Sequence, residues 1–167
     1  MSDTSPKAFV ALGANLGDPA AQLREAASRL SRLAPVLARS HLYESAAQGG
    51  PAGQPPYLNA VVALAAGDWL GREAALLSEL LAIEEELGRV RRERWGPRVI
   101  DLDLLDVAGA LRHDGVRLPH PRIEERAFVL APLLDVEPTW RHPLTGRRAT
   151  DALANVKDGV RRSHEAW

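Results

Sequence analysis

Gly88-Arg89-Val90-Arg91-Arg92-Glu93-Arg94-Trp95-Gly96-Pro97-Arg98-Val99-Ile100-Asp101-Leu102-Asp103-Leu104-Leu105 is the stretch on which the reading of this chain turns. Its two halves differ in character. In the first, arginines crowd around Trp95, and Gly96-Pro97 marks a loop, because the residue before a proline is driven out of the helical region. In the second, apolar and acidic residues alternate. A period of two predicts a strand with Ile100, Leu102 and Leu104 on one face and Asp101 and Asp103 on the other.

Two carboxylates at positions i and i+2 of a strand lie side by side, roughly 6–7 Å apart at the backbone. They repel unless a cation lies between them. So few hard oxygen donors suit Mg²⁺, which keeps several waters and takes substrate phosphates as its remaining partners. The arginine cluster fits the same ligand, since guanidinium forks bind phosphate bidentately. Arginines beside a metal-binding carboxylate pair are the apparatus of phosphoryl transfer. Any one of these residues fits a solvated loop next to an edge strand; the combination does not.

Hydrophobic spacing outward from this stretch predicts the other elements. Residues 8–12 are an apolar run read as a buried strand, closed by turn chemistry from Gly13 through Asp18 and Pro19. No Lys-Ser/Thr follows Gly17, so this is neither a Walker phosphate loop nor a dinucleotide fingerprint. Asp18 is expected as the N-cap and Pro19 as the first residue of a helix over 19–33, with Leu23, Ala26, Ala27, Leu30 and Leu33 inward. Residues 36–43 read as a second strand. Residues 44–56 form a loop of a length associated with function or disorder.

Residues 57–64 read as a third strand, with Tyr57 and Asn59 on one face. A ring and an amide at that spacing suit a planar heterocycle, which needs both stacking and donor–acceptor reading. A second helix is predicted over 69–87, with Leu76, Leu77, Leu80, Leu81, Ile83 and Leu87 inward and Glu84, Glu85 and Glu86 solvated. Gly88 suits its C′ position. Beyond the acidic strand come a hairpin turn over 107–115, short helical pieces over 123–134 and a helix near 150–156.

The order strand, helix, strand, strand, helix, strand predicts an α+β fold: a ferredoxin-like βαββαβ core, an antiparallel sheet with both helices on one face, plus C-terminal additions. The opposite face is then free for ligands, and Tyr57, Asn59, Asp101 and Asp103 are expected to point that way. The 167 residues suit one domain, 1–167. With 46% hydrophobic and 26% charged residues the composition is that of an ordinary globular protein. No run approaches the ~20 apolar residues of a membrane span. The absence of cysteine excludes thiolate metal sites and, with no apolar leader visible, leads to the expectation of a cytoplasmic protein. Net charge is −1, but residues 88–167 carry 15 basic and 12 acidic side chains against 6 and 10 in residues 1–87.

Arg89-Val90-Arg91, Arg94-Trp95-Gly96-Pro97-Arg98 and Asp101-Leu102-Asp103 together resemble the signature of the 6-hydroxymethyl-7,8-dihydropterin pyrophosphokinase family of folate biosynthesis. The resemblance runs from about Ala8 to Pro138. It implies transfer of pyrophosphate from ATP to the hydroxymethyl group of the pterin, releasing AMP. Asp101 and Asp103 would hold two Mg²⁺ ions, and Arg89 and Arg98 would neutralise charge as the bond breaks. Glu84, Arg91, Trp95, Arg98, Leu104, His120, Pro121 and Arg126 would contact ATP. Tyr57 and Phe128 would sandwich the pterin, with Asn59, Trp95 and the segment containing Ser45, Ala46 and Gln48 reading its edge. Loops 44–56 and 88–99 would close over the substrates, because excluding water protects a phosphoryl donor. A monomer that binds neither nucleic acid nor membrane is expected.

Some positions depart from the family pattern: Ala46-Ala47 replaces a proline-containing segment, Gly115 and Arg117 differ from the nucleotide contacts expected ahead of His120, and Leu81 stands where some members have Gln. Two other classes compete. A ferredoxin-like RNA-binding module would use the arginines and an exposed ring, but aromatics are only 5% and the two aspartates repel phosphate. A metal-dependent nuclease would use the same aspartates.

Overall fold

The computed structural model describes residues 5–47, 52–88 and 99–167. The elements are β1 (Lys7–Ala14), α1 (Pro19–Leu30), β2 (Val36–Arg39), β3 (Tyr43–Ser45), β4 (Tyr57–Ala65), a 3-10 turn (Gly67–Trp69), α2 (Glu73–Glu86), β5 (Asp101–Val107), α3 (Ala127–Val136), α4 (Ala149–Asn155) and β6 (Arg161–Arg162). This is a mixed α/β arrangement with four helices among the described residues. The strands pair antiparallel in the order β5-β1-β4-β3-β6, with β2 also pairing β4. No helix among the described residues is long and apolar enough to cross a membrane.

Alternation sorts the sheet into two faces. Ala8, Val10 and Leu12 of β1, Ala60, Val62 and Leu64 of β4, and Leu102 and Leu104 of β5 are buried in one cluster with Leu23, Leu30, Leu76, Leu80 and Ile83. These last five come from α1 and α2, so both helices cover this face, as the 3.6-residue spacing predicts. Asp18 caps α1, accepting from the Ala21 amide at 3.1 Å, and Pro19 opens the helix.

The other face is not wholly free, contrary to the expectation from the element order. Phe9, Ala11, Val61, Ala63 and Leu105 are buried against Val129, Leu130 and Leu133 of α3, Ala149 and Ala152 of α4, and Trp140. The C-terminal elements therefore cover one end of this face and leave the other for a site. Two adjacent differences are local. The strand expected over 36–43 divides into β2 and β3, because Ser40 turns its hydroxyl to the Val61 amide at 2.9 Å. The helix expected over 69–87 begins at Glu73, since Gly71 at φ +77° ends the preceding turn. Residues 123–134 yield one helix, α3, with Pro132 inside it.

Candidate active site

Register places the site. Gly13 of β1 pairs with Asp101 on one side and Asn59 on the other, and Asn59 pairs in turn with Tyr43. Directly paired residues share a face, so Asp101, Gly13, Asn59 and Tyr43 form one row across four strands. At roughly 4.8 Å per strand, the backbone of Asp101 lies about 10 Å from that of Asn59. Asp103 sits two residues further along on the same face, opposite Ala11. Both aspartates are half-buried, at the end of the sheet that α3 and α4 leave open.

Around the aspartates the structure gathers His120 and Arg126. The His120 amide donates to the Leu105 carbonyl at 2.8 Å, and its ring Nδ1 accepts from the Arg122 amide at 3.2 Å. Burial, and then the Arg126 charge, push the His120 imidazole down to about 4, with Asp101 pulling the other way. The ring is therefore neutral near pH 7. Because Nδ1 accepts, the proton sits on Nε2, which lies 4.0 Å from Asp103 Oδ1. At that distance and charge the contact is a directed N–H near a carboxylate rather than an ion pair. Arg126 precedes α3. Burial and the Arg122 charge hold its guanidinium below its ordinary value, while Asp103 and Asp101 draw it up. It remains a cation, set 5.5 Å over the Phe128 ring.

Not every acid on β5 is available. The bulge between Phe9 and Val10 shifts the register beyond Leu104. Asp106 is consequently buried, accepting from Trp140 Nε1 at 2.9 Å and from the Gly109 amide at 3.0 Å, and burial raises its pKa. It anchors the covered end of the sheet.

The other end of the row is neutral and enclosed. Asn59 is 4% exposed and donates through Nδ2 to Ser45 Oγ at 2.9 Å and to the Tyr43 carbonyl at 3.2 Å. A carbonyl can only accept, which fixes the amide orientation and turns Oδ1 toward Gly13. A Cβ on Gly13 would stand 3.4 Å from that Oδ1 and 3.9 Å from Tyr57 Cδ1. The glycine keeps the floor between the two ends open. Tyr57, half-buried, also lines a cleft of about 340 Å³ with Asn15, Pro19, Glu44 and Glu165.

Several expected contacts lie elsewhere. Leu104 is 3% exposed in the helix-side core, so its side chain faces away from the aspartates, as strand alternation requires. Glu84, expected in a solvated run facing nucleotide, is 2% exposed and accepts from the Leu102 amide at 2.7 Å. It thereby satisfies a backbone donor on the open edge of β5. Pro121 is exposed beside His120, Ala46 is exposed and Ser45 is buried. Arg89, Arg91, Trp95, Arg98 and Gln48 lie outside the described residues, as do residues 48–51 of the first loop expected to close and 89–98 of the second. Sequence reasoning missed Gly13, taken for a turn residue, and Arg122, whose charge acts on both His120 and Arg126. The alternation of residues 8–14 carried the signal for Gly13.

Residues 9–138 match the model of the 7,8-dihydro-6-hydroxymethylpterin-pyrophosphokinase family. The chain is similar to the 2-amino-4-hydroxy-6-hydroxymethyldihydropteridine pyrophosphokinases of Pseudomonas aeruginosa, 42% identical over 151 residues (89% of this chain, 90% of the relative), and Methylorubrum extorquens, 40% identical over 153 residues (90% and 93%). The relative from Synechocystis is 37% identical over 152 residues, covering 89% of this chain and 75% of its own. Among solved structures, wild-type Plasmodium falciparum HPPK-DHPS superposes with TM-score 0.68 at 13% identity, and an HPPK-DHPS in complex with substrates with TM-score 0.67 at 12%. These cover 96% and 90% of this chain but 48% and 43% of theirs, so the chain spans under half their length. At such identity they bear on the fold alone.

Proposed function

The chain belongs to the 7,8-dihydro-6-hydroxymethylpterin-pyrophosphokinase family and is a pyrophosphokinase of folate biosynthesis; from that premise we propose that it transfers the terminal pyrophosphoryl group of ATP to the hydroxymethyl oxygen of 6-hydroxymethyl-7,8-dihydropterin, with AMP as the other product. The observation that carries this reading is the single row in which an acidic pair and a buried amide share one sheet face across a glycine. A charged polyphosphate suits one end and a flat, hydrogen-bonding ring the other.

Asp101 and Asp103 would hold Mg²⁺. The donor set fits: two hard carboxylates, half-buried, on one face and next to each other, leaving most of a coordination shell to water and phosphate. Bound Mg²⁺ would neutralise phosphate charge and polarise the phosphoryl oxygens. Arg126 supplies a permanent positive charge beside the pair, with reduced hydration because it is half-buried. His120, neutral with its proton on Nε2, donates a hydrogen bond to a phosphate oxygen without taking up a proton. Arg89 and Arg98 would add charge as the bond to AMP breaks, Arg91 would contact the nucleotide, and Trp95 would close the site; Glu84 would serve indirectly, by holding the strand that carries the aspartates.

At the other end, Tyr57 and Phe128 would stack on the pterin. Asn59 has committed its nitrogen to Ser45 and Tyr43, so it would present Oδ1 to ring N–H groups. β2 and β3 read as one interrupted strand, which makes the core ferredoxin-like with C-terminal additions; the order β5-β1-β4-β3 and the shared face of α1 and α2 support this. The test is incubation with ATP, Mg²⁺ and the hydroxymethyl dihydropterin. AMP release that depends on both the pterin and Mg²⁺ is expected. AMP appearing equally without the pterin, or none at all, overturns the reading.

A further inference from the structure

The segment after α4 takes no part in the chemistry above, yet it is tied to the ring end of the site at several independent points. β3 is only three residues long, and on its own edge it would be held by β4 alone. β6 pairs along that edge, Arg162 opposite Tyr43 and Arg161 opposite Glu44, and the Ser163 amide continues the ladder to the Leu42 carbonyl at 2.8 Å. The Arg161 guanidinium donates twice to Glu44 Oε2, at 3.0 and 2.6 Å. Further on, the chain is pinned to α1 and β2. Arg24 donates to the Ala166 carbonyl at 3.1 Å, and Trp167 Nε1 to the Ser40 carbonyl at 2.6 Å, with the Arg39 guanidinium 5.5 Å over the indole. Trp167 also packs against the helix-side core, and Glu165 forms part of the cleft wall shared with Tyr57.

What this strap holds is specific. Tyr43 and Ser45, the two ends of β3, supply both acceptors of the Asn59 amide nitrogen. A shift of β3 by a few tenths of an ångström therefore turns the amide that the ring-binding reading depends on. We infer that residues 161–167 form a positioning strap for the pterin end of the site, acting through β3 on Asn59. Arg161 and Trp167 are positioning residues in this account. The hold rests more on the paired backbone and the indole anchor than on the Arg161–Glu44 pair, because Arg161 is 77% exposed and an exposed ion pair contributes little. The inference rests on the pterin reading of this site.

The experiment uses the full chain with Trp167→Ala, Trp167→Phe and Arg161→Ala. Steady-state kinetics are measured against each substrate, with thermal melting and side-chain amide hydrogen exchange on the ligand-free protein. Trp167→Ala should raise KM for the pterin about three- to tenfold while KM for ATP stays within about twofold. Trp167→Phe should fall between it and the parent, and Arg161→Ala should change pterin KM by about twofold. Exchange of the Asn59 Nδ2 protons should quicken in the same order, with the Asp101 and Asp103 amides unchanged. Equal rises in both KM values that track the fall in melting temperature, or unchanged Asn59 exchange in Trp167→Ala, would overturn the strap. If the parent protein releases no AMP, the pterin reading fails instead, and Asn59 exchange alone still decides whether the strap orders this end.

Discussion

The two ends of the row on the open sheet face are built on opposite principles. The Asp101–Asp103 end is charged and half-exposed, and its neighbours His120 and Arg126 come from 17 to 25 positions further along the chain. The Asn59 end is neutral and buried, and its polar atoms bond to other parts of the same sheet. One end is arranged to meet a polyanion and a cation. The other offers a fixed hydrogen-bonding pattern, and fixing it makes the same residue structural. Function and stability should therefore separate at the first end and coincide at the second.

The largest expected effect tests the first half of that statement. Asp101→Ala and Asp103→Ala should each lower turnover by roughly 10²–10³-fold, with melting temperatures close to the parent. Either variant keeping near-full turnover in an AMP-release assay, with Mg²⁺ saturating, removes the metal role from that residue.

Asn59→Ala tests the second half. It leaves Ser45 Oγ and the Tyr43 carbonyl without their donor in a buried site, which costs about 1–3 kcal/mol. Urea unfolding should register that loss, and pterin KM should rise more than ATP KM. A variant that weakens pterin binding at unchanged stability would show the two roles to be separable here as well.

Gly13→Ala probes the boundary between the ends. The added methyl meets Asn59 Oδ1 at 3.4 Å, a contact the backbone tolerates, but it fills the floor. Pterin affinity should drop by several-fold, measured by fluorescence titration, with a change in unfolding free energy of about 1 kcal/mol or less, since Gly13 is not at positive φ. Equal affinity would mean that the ring does not approach the sheet at this row.

The smallest effect concerns Tyr43. Burial first, then its hydrogen bond to Asp135 at 2.9 Å, raise the phenol to about 12. An unfolded chain releases that proton near pH 10, so between about pH 10 and 12 the unfolded state binds fewer protons and stability falls as pH rises. Ultraviolet titration should show one of the two tyrosines ionising late, and Asp135→Asn should bring it down toward its ordinary value.

The acidic strand was legible because period-two alternation depends only on local pleating, and the same holds for the stripe of α1 and for Asp18 as its cap. Glu84 was misread for the opposite reason. Its partner is a backbone amide, Leu102, and the sequence of a helix face does not display which distant strand will lie beside it. The division of residues 36–43 into β2 and β3 was hidden too, since it follows from the Ser40 hydroxyl meeting the Val61 amide across the sheet.

The sequence by itself determined the acidic pair, its shared face and the family, because these depend on residue type and short spacing. Only the tertiary structure decided that α3 and α4 cover half of that face, that Asp106 is buried in the covered half against Trp140, and that residues 161–162 pair with β3, whose two ends hold Asn59. Those facts are contacts between segments far apart in the chain, and such contacts exist only once burial and register have brought the segments together.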